Sequence, residues 1–535
     1  MSARPRTDRK ILPRWRTYKQ TLSLGELAPL DRGHKRDWAG RTDGRVAREF
    51  EFSLNPTLAF ACDLVCSASV VGPSDGSLEA AQLVLESPKS SLLARRAARR
   101  LMSWGEHNAA EGLSDLGSPA EGIRDLRSRL ALSPRNALRW CDLACHFTAV
   151  GNERGAEKAM TVALSLAGED RHVLRSAARL WVHRGRYDRA HWVLQRSRRT
   201  RADPWLVAAE IATAGVAGQR SGLVRHARQL LRSRSFAPFD TNELASALAT
   251  LELDAGDDVA ARRLFRIALE APTDNSVAQA EWARDRVPSL AVEEHLLERT
   301  MSWEARARGA SRAGEWRTAL AEAGEWQRDQ PFSSAPGELG SYEAAKGGDF
   351  LAGAEIARRA LIANPTEALL LNNTAFCLLS AGELVEADHY LSRTRVDKLT
   401  VEDRAHYTAT RGLQCYRSGR PEQGRELYLQ AMHMTRNRET HALAAIMLAR
   451  EELFAYAPHA SEAIEHAKTL GGRSERPDMN LWLEQLEGGP ARELESTATR
   501  PSAPPREPPA PTERTRTGGR ATPPKLGWRG PRHRH

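Results

Sequence analysis

Two histidines and two arginines are spaced in a way that can bind anions. His172, Arg175, Arg179 and His183 are separated by three, four and four residues, so they form one stripe along a helix. Arginine binds carboxylates and phosphates through two parallel hydrogen bonds. The stripe therefore predicts a binding surface for a protein or peptide partner with acidic groups. The alternative is that these charges form a solvated helix face.

Motifs for catalysis or cofactor binding do not occur. The chain has no GxxxxGKS/T, HExxH, CxxC or GxGxxG pattern. Cys62 with Cys66, and Cys141 with Cys145, are i, i+4 pairs that could each supply two thiolate ligands, but 79 residues separate the pairs. Thiols also serve as small buried apolar groups. We expect no metal, no cofactor and no enzymatic activity.

The net charge of +10 is unevenly distributed. Residues 1–50 hold 13 Lys/Arg and 6 Asp/Glu, and residues 489–535 hold 10 and 4. Between Arg171 and Phe236, 15 arginines stand against 3 acidic residues. Such a block can steer an anionic partner. A nucleic-acid-associated regulator that uses the Arg-rich block and the basic tails is therefore the alternative to a protein-binding function.

Location is indicated by the start of the chain, its apolar stretches and its cysteines. The basic N-terminus leads into no apolar region typical of a secretory signal. The longest apolar stretches fall short of the roughly 20 residues that cross a bilayer. Six cysteines are too few for a disulfide scaffold and suit a reducing compartment. We expect a cytoplasmic protein that does not enter membranes.

Near the N-terminus, aromatic and basic residues alternate. Trp15 and Tyr18 stand among Arg14, Arg16 and Lys19. Three interpretations are open: a linear motif for another protein, a nucleic-acid contact with stacked aromatics, or a segment that packs on the first repeat.

A 34-residue period dominates the middle of the chain. Gly117, Gly151 and Gly185 keep this step, and so do Gly314, Gly348 and Gly382. Before each glycine, apolar residues recur on one helical face. Glycine there suits the positive φ that ends a helix, and a second helix follows. Each unit is therefore predicted to be a helix hairpin that buries its apolar faces against its neighbours.

The segment of 21 residues from Trp140 and the segment from Leu371 carry the pattern most completely, with bulky, small and turn-glycine positions in order. They resemble the tetratricopeptide repeat family. The resemblance implies an all-α fold, a right-handed superhelical solenoid of stacked helix-turn-helix repeats. The expected divisions of the chain are a partly disordered basic extension at 1–56, degenerate helices at 57–102, the repeat array at 103–470, a terminal helix at 471–488 and a disordered Pro/Arg-rich tail at 489–535.

Members of the family usually hold peptides against the first helices of their units, on the concave face. The resemblance therefore implies a non-enzymatic adaptor or scaffold whose groove binds a protein or peptide. The stripe from His172 to His183 would point into that groove. Asn372 and Asn373, in a later first helix, could bind a peptide backbone.

Overall fold

The computed structural model describes residues 9–27, 30, 43–71, 73–102, 118–299, 301–472 and 477–487. Within these ranges the chain is α-helical with two short 3-10 helices and no strand. It divides into two units, Met1–Gly489 and Pro490–His535. The whole second unit, Gly117, and most of the extension between residues 28 and 42 lie outside the described residues.

Six helices precede the regular hairpins. They are Tyr18–Ser23 (α1), Asp43–Leu54 (α2), Leu58–Val71 (α3), Asp75–Glu86 (α4), Leu92–Met102 (α5) and Pro119–Leu132 (α6). Helices α2 to α5 share a small core of their own, which includes Phe52, Leu64 and Leu101.

The helices of the array follow in order. The first group is Ala137–Ala149 (α7), Glu153–Ala167 (α8), Arg171–His183 (α9), Tyr187–Arg196 (α10), Pro204–Val216 (α11), Val224–Ser233 (α12), Pro238–Asp254 (α13), Asp258–Leu269 (α14), Asp274–Ala283 (α15) and Glu294–Leu297 (α16). The second group is Trp303–Ala313 (α17), Trp316–Asp329 (α18), Ala335–Lys346 (α19), Phe350–Ala363 (α20), Ala368–Ser380 (α21), Leu384–Ser392 (α22), Val401–Arg417 (α23), Pro421–Met434 (α24), Arg438–Phe454 (α25), Ala460–Gly471 (α26) and Pro477–Glu487 (α27).

A glycine with positive φ joins the two helices of most hairpins. Eight turn glycines have φ between 66° and 87°: Gly151, Gly185, Gly218, Gly256, Gly314, Gly348, Gly382 and Gly419. At Gly348 the next amide, of Asp349, donates to the carbonyl of Ala344 at 2.9 Å and closes the first helix. The Asp349 side chain then caps the second helix by accepting from the amide of Ala352. A two-residue Gly-Asp sequence thus ends one helix and begins the next.

The two helices of a hairpin differ in burial. First helices such as α11 and α21 are buried almost all round. Second helices such as α12 bury a narrow stripe and expose a charged face. The array therefore stacks as the sequence predicts, and the all-α solenoid of helix-turn-helix repeats is confirmed. No described helix has the length and apolar character needed to cross a membrane.

Trp140 and the region after α15 depart from the regular pattern. Trp140 is half-buried and donates from Nε1 to the carbonyl of Pro134 at 2.8 Å, whereas Trp181, 34 residues later, is fully buried. After α15 the hairpin is completed by the short helix α16 rather than by a full second helix. Here the sequence also lacks the consensus, so the irregularity is local to this unit.

Candidate binding face and the N-terminal segment

Residues 9–27, here called the N-terminal segment, lie against the first helices of the array. The segment has no regular secondary structure from Arg9 to Thr17, and α1 follows. It contacts residues of the first helices α7, α9, α11, α13, α15 and α17, whose contacted surface we call the inner face. The packing interpretation of this segment is therefore the correct one of the three, but the contact extends across six units rather than the first repeat alone.

Arg16 is the most deeply buried charge of the segment. Its guanidinium donates to both carboxylate oxygens of Asp329, at 2.7 and 2.8 Å, and to both of Asp274, at 3.1 and 2.8 Å. Burial opposes the charge of Arg16, but the two carboxylates outweigh burial and hold the pKa of Arg16 well above its usual value. Charged arginine is therefore the form this site binds.

Arg9 and Arg14 extend the same chemistry along the segment. Arg9 binds both carboxylate oxygens of Glu304, at 2.8 and 2.9 Å. Arg14 reaches Asp274 at 3.0 Å and Glu304 at 2.8 Å. Burial would raise the pKa of Glu304, but Arg9 and Arg14 hold that pKa well below the usual range. Three arginines of the segment thus neutralise three carboxylates from different elements of the array.

Main-chain atoms of the segment are bound as well. The Nδ2 atom of Asn275 donates to the carbonyl of Leu12 at 2.9 Å, and Nε2 of Gln279 donates to the carbonyl of Arg9 at 3.0 Å. Asp142 accepts from the amide of Tyr18 at 2.8 Å. Amide side chains that meet an extended backbone satisfy polar groups that burial would otherwise leave unpaired. These contacts are independent of the bound segment's side chains.

Apolar anchors hold the centre of the segment. Trp15 is 1% exposed, and its ring centroid lies 5.2 Å from that of Phe332. Ile11 is equally buried among α11 residues such as Val207 and Ile211. Cavities of about 320 and 580 Å³ flank the segment, and Arg14 and Trp15 respectively line them.

The predicted stripe on α9 lies on the inner face and meets the chain itself. Arg175 binds Glu243 at 2.8 and 3.2 Å and lies 4.9 Å above the Trp205 ring. His172 packs edge-on against Tyr18, with 5.8 Å between ring centroids. Burial lowers the pKa of His172 to about 4, so its imidazole is neutral at pH 7. Neither residue is exposed to an external partner in this structure, because the chain's own groups cover both.

Arg179 and His183 flank Phe332. The Arg179 guanidinium lies 4.9 Å above the Phe332 ring, and the His183 ring meets it edge-on at 5.9 Å. Within the described part of the chain, Arg179 has no carboxylate partner, and burial lowers its pKa to about 10. Burial also lowers the pKa of His183 to about 4. Arg179 lines the 320 Å³ cavity and is the member of the stripe that could still meet an anion.

Asn372 and Asn373 belong to the interior of a later pair of hairpins. Both are buried in α21. Asn373 donates to Oγ of Ser341 at 3.0 Å. Asn372 borders a small cleft with His406 and Tyr407 of α23, and its amide finds no hydrogen-bond partner among the described residues. The structure does not bring these two residues together with the stripe on α9.

The Arg-rich block is divided between internal pairs and exposed charges. Arg171 binds Asp203 at 2.6 Å, and Arg186 and Arg189 both bind Glu157. The exposed remainder includes Arg196, Arg198, Arg199 and Arg201. Nucleic-acid binding by these exposed residues stays a prediction.

One buried set has the residue types of a hydrolase triad without its geometry. His191 Nε2 lies 2.8 Å from Glu210, but Ser221 donates to that same glutamate rather than to the histidine. The other histidine nitrogen, Nδ1, meets Gln219 at 3.0 Å. A serine nucleophile needs its proton taken by a base within hydrogen-bond reach. This set has the bonds of a structural network.

The repeated hairpins with their turn glycines define the class of protein: the chain is a tetratricopeptide-repeat-like helical solenoid. No protein-family model matches the chain, and no curated protein matches its sequence. Several solved structures of the same fold class are similar to it. The Cut9–Hcn1 assembly of the APC/C matches at 12% identity over 84% of this chain and 93% of that chain, with a TM-score of 0.37.

Two further structures belong with this comparison. Yeast Tom70 matches at 13% identity over 86% of this chain and 93% of that chain, with a TM-score of 0.30. The human IFIT1 dimer with PPP-AAAA matches at 15% identity over 70% of this chain and 94% of that chain, with a TM-score of 0.34.

Proposed function

We propose that this protein is a non-enzymatic scaffold that binds an extended segment of a partner protein on its inner face. The observation that carries the proposal is the way Asn275 and Gln279 hold the carbonyls of Leu12 and Arg9. These amides already bind an extended backbone, and they would bind another in the same way. Helical repeats present such a surface without moving, since each hairpin is fixed by its neighbours.

The charge of the partner is the part of the sequence prediction that the proposal revises. The stripe on α9 suggests acidic groups on the partner. Arg175 is already neutralised by Glu243, whereas Asp274, Glu304 and Asp329 bind arginines that the N-terminal segment supplies. The inner face is therefore better suited to a basic segment, and Arg179 is the position where an acidic group of the partner would be accommodated.

A cytoplasmic location remains part of the proposal. Cys141, Cys145, Cys377 and Cys415 are free thiols in the described structure and are buried. Burial raises the pKa of the Cys145 thiol, so this group is a weak nucleophile at neutral pH. Buried unpaired thiols are suited to a reducing compartment.

Site-specific photo-crosslinking tests the proposed function. A photoreactive residue at Ser333, beside the 320 Å³ cavity, is compared with one at Val385, which is 89% exposed on the second helix α22. We expect defined protein adducts at Ser333 that are missing at Val385 and that persist after nuclease treatment. Equal labelling at both positions, or adducts that nuclease removes, would contradict the proposal.

A further inference from the structure

The inner face is built for guanidinium groups. Asp274, Glu304 and Asp329 are each less than 10% exposed, and each binds at least one arginine of the N-terminal segment. A buried carboxylate without a partner is costly, because water no longer solvates its charge. Three such groups in one surface are stable as carboxylates only while cations occupy it.

The segment is bound as a peptide ligand is bound. It is extended through Thr17, its carbonyls receive hydrogen bonds from side chains of α15, and Trp15 fills an apolar site beside Phe332. The hairpins, by contrast, pack on one another through continuous apolar cores. Backbone hydrogen bonds give affinity here, and the arginines with the tryptophan give selectivity.

Covalent connection gives this ligand an advantage over any other. Residues 28–42 join the segment to α2. A ligand held by a short linker acts at an effective concentration on the order of 1 mM. A partner that makes the same contacts must overcome that concentration, so the face is occupied internally unless the partner binds more tightly or the segment is released.

We propose that the partner which the inner face selects is an extended segment carrying arginines around an aromatic residue, and that it binds by displacing residues 9–27. The inference rests on the proposed function and adds the chemistry of the partner. The spacing that the face reads is Arg9, Arg14, Trp15 and Arg16. The N-terminal segment is thus an internal competitor for the site.

The test uses the full chain with a specific protease site inserted after Gly33. Cleavage after folding cuts the tether and leaves every contact of the segment in place. A fluorescent synthetic peptide of residues 9–27 is then the probe. We expect the cut chain to bind the peptide at least tenfold more tightly than the uncut chain, with an unchanged far-ultraviolet circular dichroism spectrum.

Matched peptides and one host variant test the chemistry. The peptide with Arg14→Gln and Arg16→Gln is expected to bind the cut chain at least tenfold more weakly than the natural peptide. Asp329→Asn in the cut chain is expected to weaken the natural peptide but to affect the Gln peptide little. Asp125→Asn, an exposed position on α6, is the host control and leaves both affinities unchanged.

Three results would overturn the inference. The first is no exchange of the peptide into the cut chain over a day, which would make the segment a permanent part of the fold. The second is equal binding of the natural and Gln peptides. The third is preferential binding of an Arg→Glu peptide or of a single-stranded RNA probe. If Ser333 crosslinks a protein that an excess of the natural peptide does not displace, the inference fails while the proposed function stands.

Discussion

Arg16 binds both carboxylate oxygens of Asp329, at 2.7 and 2.8 Å, although 313 residues separate the two in the sequence. The contact joins the N-terminal segment to the end of α18. Because both partners are buried, the pair is sensitive to the loss of either one, and it gives the most direct test of how the segment is held.

Arg16→Gln is expected to lower the free energy of unfolding by about 3 to 5 kcal/mol, since it leaves Asp329 as an uncompensated buried charge. Urea unfolding at pH 7 measures the loss. Hydrogen exchange at the amide of Tyr18, which Asp142 accepts, is expected to accelerate at the same time. Arg129→Gln is the matched control, because Arg129 and Asp125 form an exposed pair on one helix. Its effect should stay within about 0.5 kcal/mol. A loss below about 1 kcal/mol for Arg16→Gln would show that the segment contributes little to the stability of the array.

Glu26 provides a pH dependence of the docked segment. Burial raises the pKa of its carboxyl to about 7, because Arg16 and Arg175 lie 3.7 and 4.0 Å away and because Asp274 and Glu243 add like charge. The backbone carbonyl of the same residue accepts from Arg171. A carboxyl whose folded pKa is raised contributes stability that is complete below its ordinary pKa and is lost as the pH rises to about 7.

Glu26→Gln is therefore expected to be more stable than the wild type at pH 8 by about 2 to 3 kcal/mol, and nearly equal to it at pH 4.5. The difference between the two proteins is the informative quantity. His172 and His183, whose pKa values burial lowers to about 4, titrate over part of the same range and cancel in the difference. Urea midpoints between pH 4.5 and 8 measure it. A difference that does not change with pH would contradict a buried protonated Glu26.

Local sequence signals explain what could be predicted. The turn glycines and the apolar residues before them lie within one hairpin, so a 34-residue period reveals both helices and their order. The same reasoning places His172, Arg175, Arg179 and His183 on a first helix. It cannot show that Glu243 already neutralises Arg175, since 68 residues separate the two.

The N-terminal segment shows the same limit more clearly. The alternation of arginine and aromatic residues around Trp15 is visible in the sequence, and it fits a ligand for another protein as well as a ligand for the chain itself. Asp274, Glu304 and Asp329 come from three units that match the consensus poorly or have no conserved position for an acid. Their common feature is burial of a charge, which becomes visible only when the stacked helices are in place.

Trp181 and Trp140 separate buried from half-buried positions at equivalent places in two repeats. Trp181 is fully buried, and the Arg189 guanidinium lies 3.7 Å from the centre of one of its rings. Trp181→Ala is expected to cost about 3 to 5 kcal/mol. Trp140→Ala should cost about 1 to 2 kcal/mol, because the ring is only half-buried and keeps one hydrogen bond. Equal losses in urea unfolding would show that the two positions are equivalent after all.

Gly348 and Gly337 are glycines for different physical reasons, and alanine substitutions distinguish them. Gly348 has a φ of +76°, and an added Cβ would meet nothing within 4 Å. Gly348→Ala is therefore expected to cost about 1 to 2 kcal/mol through the backbone alone, and Gly348→Asn should cost less.

Gly337 lies inside α19, and an added Cβ would be 2.4 Å from Cβ of Ala360. Gly337→Ala must push α19 away from α20, which we expect to cost about 1 to 3 kcal/mol. Ala360→Gly removes the atom in conflict, so the double variant Gly337→Ala with Ala360→Gly should recover at least about 1 kcal/mol of the loss expected from adding the two single effects. The same Ala360→Gly change combined with Gly348→Ala should recover nothing, because no side chain is in conflict at the turn. Strict additivity in both double variants, measured by urea unfolding, would mean that α19 and α20 are less closely packed than the contact between Gly337 and Ala360 indicates.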